Sequence, residues 1–219
     1  MALLPLIHLG DPILRRRAKH IADPLEPWVQ QLIDDMLETM HFARGVGLAA
    51  PQVNVSRRLA VIDTRDEPAL VVINPRVLRR KGSRVCDEGC LSIPGYVGEV
   101  RRSEKLWVEA TGRDGERYRI MGAKGLMAQA LEHEIDHLNG VLYLDHLLNH
   151  EALRQKGVVV PDHPVVPISL LEAQGLIVQP PRPEDLRDAA EEEREIAEER
   201  AEIEAEMGAE MAEAAEARR

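Results

Sequence analysis

The spacing of hydrophobic positions near the start of the chain predicts a first helix over residues 24–42. Apolar side chains recur there every four positions, at Trp28, Leu32, Met36 and Met40. This spacing places them on one face of a helix, and we expect that face to pack in the core. Asp23 can cap the helix, and Pro24 suits its first turn.

Shorter hydrophobic runs after this helix predict strands. Residues 58–63, 69–74 and 106–111 are rich in Val, Leu and Ile, as buried strands are. Asp114 and Gly115 precede a further strand over residues 117–121 and predict a hairpin turn.

A second helix is predicted over residues 123–140, with Asn139 and Gly140 as its end. It carries two stripes, Ala128, Leu131, Ile135 and Leu138 on one side and Leu126, Ala130, His133 and His137 on the other. A helix with apolar residues on both sides is buried. The order of elements therefore predicts the α+β class, with antiparallel and mixed strands packed around this central helix.

The central helix also carries the residue types of a hydrolytic metal site. His133 and His137 are one turn apart, so both imidazoles can bind one divalent cation. Glu134 lies beside them, and its carboxylate can take a proton from a water that the metal acidifies. Buried polar groups need partners, and a metal supplies them.

The third ligand is predicted upstream. His146, His150, Glu151 and His163 follow the helix, but their spacing does not match that of a third ligand in metalloproteases. Cys90 lies between Gly89 and Leu91, and its thiolate is a good ligand for divalent metals. One thiolate and two imidazoles leave a fourth position open for water, as hydrolysis requires.

A closed structural zinc site is the alternative, with Cys86 as a fourth ligand to the same ion. The 42 residues between Cys90 and His133 are far more than the loop of about 12–15 residues in a zinc finger. If residues 86–90 are extended, the two cysteines lie about 13 Å apart, too far for a disulfide. We expect both to be reduced and Cys86 to be a small buried residue.

Composition fits a soluble enzyme of 219 residues with 44% hydrophobic side chains. The two reduced cysteines indicate a cytoplasmic setting. No apolar run approaches the roughly 20 residues of a membrane span, and the basic residues follow the apolar start, so we expect no signal peptide.

Prolines interrupt residues 158–167 and 180–183. Residues 181–219 hold 15 acidic and six basic side chains, a net charge of −9 out of −10 for the whole chain. The sequence predicts a catalytic domain over 1–165, a linker over 166–180 and an acidic, helical C-terminal extension over 181–219.

Three motifs resemble, in order and spacing, those of the peptide deformylase family. They are Gly-Val-Gly-Leu-Ala-Ala-Pro-Gln at 45–52, Glu-Gly-Cys-Leu-Ser at 88–92 and His-Glu-Ile-Asp-His-Leu at 133–138. The opening at 7–14 is similar too, so the resemblance covers about residues 6–148. The family usually has Gln before the first histidine. This chain has Glu132, which we expect to add a charge next to the site and shift metal or substrate affinity.

The resemblance implies removal of the formyl group from the initiator methionine of new proteins, with release of formate. Cys90, His133 and His137 would bind the metal, and a metal-bound water would attack the formyl carbon while Glu134 carries the proton. Gln52 offers an amide N–H to the developing oxyanion, and the resemblance implies the backbone N–H of Leu91 as the second donor. It also implies Fe²⁺ as the cellular metal, with Zn²⁺ or Ni²⁺ as substitutes.

The family further implies a hydrophobic pocket for the methionine side chain. Its expected lining residues and the expected backbone contacts of the substrate are Val46, Gly47, Leu48, Gly89, Leu126, Gln129, Ala130 and His133. The expected partners are nascent N-formylmethionyl polypeptides, with no membrane and no nucleic acid. The acidic extension argues against docking on ribosomal RNA. Two other classes stay open: a broad zinc peptidase using the same helix, and a binding protein with a structural metal.

Overall fold

The computed structural model describes residues 2–66, 68–149 and 152–155, and the predicted linker and acidic extension lie outside them. The described chain contains two α-helices, α1 (Pro27–Phe42) and α2 (Gly125–Leu138). Its strands are β1 (Gly47–Ala49), β2 (Leu59–Ile62), β3 (Leu70–Lys81), β4 (Arg84–Cys90), β5 (Ile93–Arg102), β6 (Lys105–Thr111), β7 (Arg117–Lys124) and β8 (Leu153–Gln155). Short 3₁₀ turns occupy Pro12–Arg15, Ala50–Val53 and Tyr143–His146.

The strands form two sheets. One has five strands in the order β1-β2-β3-β6-β7, and the other has three in the order β4-β5-β8. Every strand pair in the described chain is antiparallel, and parallel pairing occurs at an isolated bridge between Lys19 and Arg57. Two helices combined with antiparallel sheets confirm the α+β class.

Helix α1 begins three residues later than the sequence predicts. Asp23 accepts a hydrogen bond from the N–H of Leu25 at 2.9 Å, so it caps a turn and not the helix. Met36 and Met40 are fully buried as predicted. Trp28 was expected in the core but is 41% exposed, because its indole N–H reaches out to the carboxylate of Glu26 at 2.6 Å.

The predicted strands and the hairpin are present. Residues 58–63, 106–111 and 117–121 correspond to β2, β6 and β7, and Gly115 takes a left-handed φ of 82° in the turn between the last two. The strand predicted at 69–74 continues to Lys81. Strands β4 and β5 were not predicted, because they are rich in charged residues and glycine and lack hydrophobic runs.

Helix α2 is the centre of the fold. It contacts strands of both sheets, and Ala128, Leu131 and Leu138 are completely buried. They share a core cluster with residues of the large sheet, including Ala60, Ile62, Leu106 and Val108. Neither described helix is long and apolar enough to cross a membrane. The buried position of α2 places its histidines between the two sheets.

Candidate metal centre and active site

Three side chains with metal-ligating atoms meet where β4 ends beside α2. Cys90 is the last residue of β4, and His133 and His137 project from successive turns of α2. Their ligand atoms all lie within 4.8 Å of one another, and Sγ of Cys90 is 3.2 Å from Nε2 of His137. The structure thus brings together the three residues that the sequence predicts as ligands.

Cys86 does not join this cluster among the described residues. It lies four positions before Cys90 on an extended strand, and both cysteines are free, as predicted. Cys86 is only partly buried, which differs from the prediction of a buried residue. Burial raises the pKa of the Cys86 thiol, which keeps it protonated. The geometry therefore favours a three-ligand site over the closed four-ligand alternative.

Buried Glu88 orients the first histidine. The Nδ1–H of His133 donates to the Glu88 carboxylate at 3.0 Å, which leaves Nε2 for a metal. Arg102 donates to the same carboxylate at 2.7 and 2.9 Å. Burial alone would raise the pKa of Glu88, but the hydrogen bonds from Arg102 and His133 lower it to about 2. Glu88 is therefore ionised at neutral pH, and its carboxylate can accept the hydrogen bond from His133.

The electrostatic environment of the two histidines attracts a cation. Burial would lower the pKa of His133, but Cys90 and Glu88 raise it well above its ordinary value. Burial and the neighbouring charge of His133 lower the pKa of His137, so that ring is neutral, as a metal ligand must be. A divalent ion between Cys90 and the imidazoles would satisfy the same negative groups that favour a proton on His133.

Glu134 lies next to the cluster with an incomplete set of partners. It is buried, and its Oε2 has no hydrogen-bond partner among the described residues. Burial is the main cause that raises its pKa to about 7, against the lowering effect of His133. Oε1 approaches β1 so closely that a Cβ on Gly47 would lie 2.3 Å from it. A side chain at position 47 would therefore displace the Glu134 carboxylate.

Gln52 faces the cluster from the opposite side. Its Oε1 accepts from the N–H of Ala49 at 2.8 Å, which turns the amide NH₂ toward Ser92 Oγ at 3.1 Å and Cys90 Sγ at 3.4 Å. Leu91 follows Cys90 in the turn after β4, and its side chain would lie 2.8 Å from a Cβ on Gly45. The Gln52 amide therefore contacts the ligand Cys90, and Leu91 follows that ligand directly in the chain.

A cavity of about 700 Å³ opens onto this cluster. The predicted site residues that line it are Val46, Gly47, Gln52, Gly89, Cys90, Leu91, Leu126, Gln129, Ala130, His133 and Glu134. Leu48 does not line it, because its side chain is fully buried in the core and its backbone pairs with Val61 of β2. Leu126 is 48% exposed at the cavity, where a bound ligand could cover it.

Several residues of the site were not predicted. Glu88 was part of a motif but had no role, although it lies two positions before Cys90 on β4 and two strand positions share a face. Arg102 had no sequence signal, because it comes from the next strand. Tyr143 stacks on His133 at 6.2 Å between ring centroids, and Arg44 and Tyr96 line the cavity.

Glu132 does not face the site, contrary to the expectation. Its carboxylate accepts from Nε of Arg80 at 2.9 Å and from the N–H and Oγ of Ser103 at 2.8 and 2.9 Å. It is absent from the lining of the cavity. Helical geometry explains this, because the residue before His133 points about 100° away from it around α2.

The residues present fit a divalent metal. One sulfur and two imidazole nitrogens are a common donor set for Zn²⁺ and related ions. Glu134 Oε2 and His137 Nδ1 are buried polar atoms without partners in the described chain. Such atoms are costly unless a ligand or water satisfies them.

Comparison with known proteins agrees with this geometry. The polypeptide deformylase family model matches residues 3–152. A peptide deformylase of Dehalococcoides mccartyi is 47% identical over 158 residues, which cover 72% of this chain and 93% of the relative. The crystal structure of a Legionella pneumophila peptide deformylase matches with 44% identity and a TM-score of 0.64, covering 67% of this chain and 86% of that one. The crystal structure of a Synechococcus elongatus peptide deformylase in complex with actinonin matches with 40% identity and a TM-score of 0.69. The match covers 82% of this chain and 90% of that one. The chain belongs to the polypeptide deformylase family.

Proposed function

We propose that this protein removes the formyl group from the initiator formylmethionine of newly made proteins and releases formate. Membership of the family supports removal of N-formyl groups from nascent peptides. The observation that carries the proposal is the cluster of Cys90, His133 and His137 at a cavity of about 700 Å³, with Glu134 beside it.

Cys90, His133 and His137 would hold a single divalent ion. When bound, the ion supplies a Lewis acid that polarises an oxygen and lowers the pKa of a water. The family resemblance supports Fe²⁺ as the cellular metal, with Zn²⁺ or Ni²⁺ as substitutes, although the thiolate and imidazole ligands suit Zn²⁺ at least as well. Glu88 fixes the orientation of His133 through the bond at 3.0 Å.

Glu134 moves the proton. Its carboxylate takes a proton from the attacking water as the water oxygen bonds to the formyl carbon. It then gives that proton to the methionine nitrogen as the carbon–nitrogen bond breaks, so formate and a free amine result. A pKa of about 7 suits both steps, because a group that titrates near the working pH can accept and release a proton.

Gln52 and the backbone N–H of Leu91 hold the oxygen that gains charge during the attack. The bond from the N–H of Ala49 to Gln52 Oε1 fixes the side chain, so its NH₂ is aimed before substrate arrives. A preorganised donor of this kind contributes about 2.7–4 kcal/mol to the transition state.

The cavity walls accept the methionine side chain and the substrate backbone. Val46, Leu126 and Ala130 supply the apolar surface, while the edge of β1 at Gly47 and the residue Gly89 supply backbone contacts. Leu48 would then act by holding β1 in place through its buried side chain.

The catalytic domain, residues 1–165, is proposed to carry all of this chemistry. Residues 166–180 would link it to the acidic extension at 181–219, whose net charge of −9 disfavours docking on RNA. Nascent polypeptides are the proposed partner, which places the activity in the cytoplasm, where they emerge.

The direct test is release of formate from formyl-Met-Ala-Ser by the metal-loaded protein, with unblocked Met-Ala-Ser as the matched control. The proposal expects formate from the first peptide and no cleavage of the second. Cleavage of the unblocked peptide would favour a broad zinc peptidase. A firmly bound metal with no turnover of either peptide would favour a binding protein with a structural metal.

A further inference from the structure

Arg44 lines the cavity, and its guanidinium has no charged partner among the described residues. Three acidic residues line the cavity, and two of them are ion-paired, Asp87 with Arg154 and Glu88 with Arg102. Glu134 is the third and is assigned to proton transfer. The exposed side chain of Arg44 has no ion pair or hydrogen bond to any described residue. It therefore presents a positive charge to whatever enters.

The backbone of Arg44 is in a conformation that favours glycine. Its φ is 56°, and its N–H donates to the carbonyl of His41 at 3.0 Å just beyond the end of α1. Gly or Asn commonly occupies this left-handed position after a helix, because other side chains are strained there. Arg44 therefore presents its side chain at the cavity from a backbone conformation that costs free energy.

The open edge of β1 runs from the reaction centre toward Arg44. Strand β1 is at the end of its sheet, so one edge has no partner strand in the described chain. Gln52 covers this edge at Ala49, while Glu134 reaches the strand at Gly47. If the formyl group is held near Glu134, the peptide can extend along this edge only from Gly47 toward Arg44. It then runs antiparallel to β1.

The chain turns at Arg44, whose φ is 56°. Three positions separate it from Gly47, so the two residues lie at most about 10 Å apart. A substrate residue opposite Gly47 is followed by two or three more before Arg44 is reached. The arginine side chain therefore meets the third or fourth residue of the formylated peptide.

We infer that Arg44 is a specificity residue that favours formyl peptides with an acidic side chain at the third or fourth residue. Its guanidinium would pair with that carboxylate at the mouth of the cavity. The inference rests on the proposed deformylase function and adds a substrate class to it. An exposed pair of this kind changes kcat/KM by about two- to five-fold, mainly through KM.

Three C-terminally amidated peptides test it: formyl-Met-Ala followed by Glu-Glu, Gln-Gln or Lys-Lys. Metal-loaded full-length protein should prefer them in that order, and the preference should fade at about 1 M KCl, where the Debye length is about 3 Å. Arg44→Gln should remove the preference, Arg44→Glu should invert it, and Arg44→Lys should keep it. Arg65→Gln is the matched control, because Arg65 is also exposed with a φ of 67° but does not line the cavity.

Equal kcat/KM for the three peptides would overturn the inference, as would a preference that survives in Arg44→Gln. The free-acid form of the Gln-Gln peptide separates an acidic side chain from a chain-end carboxylate. A gain seen with the free acid but not with Glu-Glu would also overturn it. Absence of formate from every peptide would contradict the proposed function instead, and calorimetric binding of the same peptides would still decide the charge preference.

Discussion

The polar side chains on the two sides of α2 differ in whether they have hydrogen-bond partners. On the side away from the cavity, Glu132 is bonded to Arg80 and Ser103, and Asp136 is bonded to Arg102 at 2.6 Å. On the cavity side, Glu134 Oε2 has no partner in the described chain. The same helix thus carries carboxylates with complete and with incomplete sets of bonds.

This difference distinguishes carboxylates that stabilise the fold from the carboxylate that is proposed to act in catalysis. A carboxylate that is paired with cations stays ionised and holds elements together, as the lowered pKa of Asp136 indicates. There, burial raises the pKa but the bonds from His146 and Arg102 outweigh it. Glu134 lacks such bonds, and burial raises its pKa to about 7. Groups with perturbed pKa values beside a cavity are candidates for catalysis.

The largest effects should come from the three ligands. Cys90→Ala, His133→Ala and His137→Ala should each lose bound metal and formate release together, both falling to background. The reason is that two remaining ligands hold an ion poorly. Metal content by mass spectrometry and formate release on the same samples measure both quantities.

Cys86→Ser is the matched control for Cys90→Ala, since both lie on β4. We expect it to leave metal and turnover nearly unchanged. Loss of metal in Cys86→Ser would instead support the closed four-ligand site and break the division between the two sides of α2.

Glu134→Gln should keep the metal but lower kcat by roughly 10²–10⁴-fold, the usual contribution of a general acid–base group. The glutamine has nearly the same shape but cannot carry the proton. Steady-state kinetics with formyl-Met-Ala-Ser, together with metal content, gives the answer. A variant close to wild type in kcat would remove Glu134 from the proposed mechanism.

Glu88→Gln should weaken metal binding or turnover by about 10–100-fold, as changes in groups that orient a ligand do. The variant keeps the shape but loses the charge that holds His133 and Arg102. Glu109→Gln is the control, because Glu109 also pairs with arginines but lies on the large sheet, away from the ligands. Equal metal affinity in both variants would mean that Glu88 is a structural residue only.

Glu132→Gln should have the smallest effect on activity and a measurable effect on stability. Weakening the charged bonds to Arg80 and Ser103 should lower the free energy of unfolding by about 1–3 kcal/mol. Urea denaturation and steady-state kinetics measure the two quantities. A large change in KM or metal affinity would show that Glu132 acts on the site after all.

The sequence was most informative where function and local geometry coincide. The spacing of His133 and His137 on one helix predicts a metal pair directly, and the placement of Cys90 beside them followed from its motif. Helix α2 was predicted from hydrophobic spacing and its stop signal, strands β2 and β6 from their richness in Val, Leu and Ile, and β7 from the turn before it. In these regions the pattern depends on neighbours within a few residues.

The remainder depended on contacts between distant segments. Arg102 on β5 binds both Glu88 on β4 and Asp136 on α2. No spacing in the sequence indicates contacts among these three elements. Trp28 fits the periodicity of α1 but lies at the edge of its buried face. Glu132 was expected beside the site because it precedes His133 in sequence, whereas the helix turns it toward Arg80 and Ser103.

Metal removal and reconstitution of the wild-type protein test the central claim most directly. The protein is stripped with a chelator and titrated with Fe²⁺ without oxygen, or with Zn²⁺ or Ni²⁺, while formate release from formyl-Met-Ala-Ser is followed. The three-ligand site predicts no activity in the stripped protein and full recovery at one equivalent of metal. Activity that persists without metal, or that never returns with any of these ions, would contradict the account.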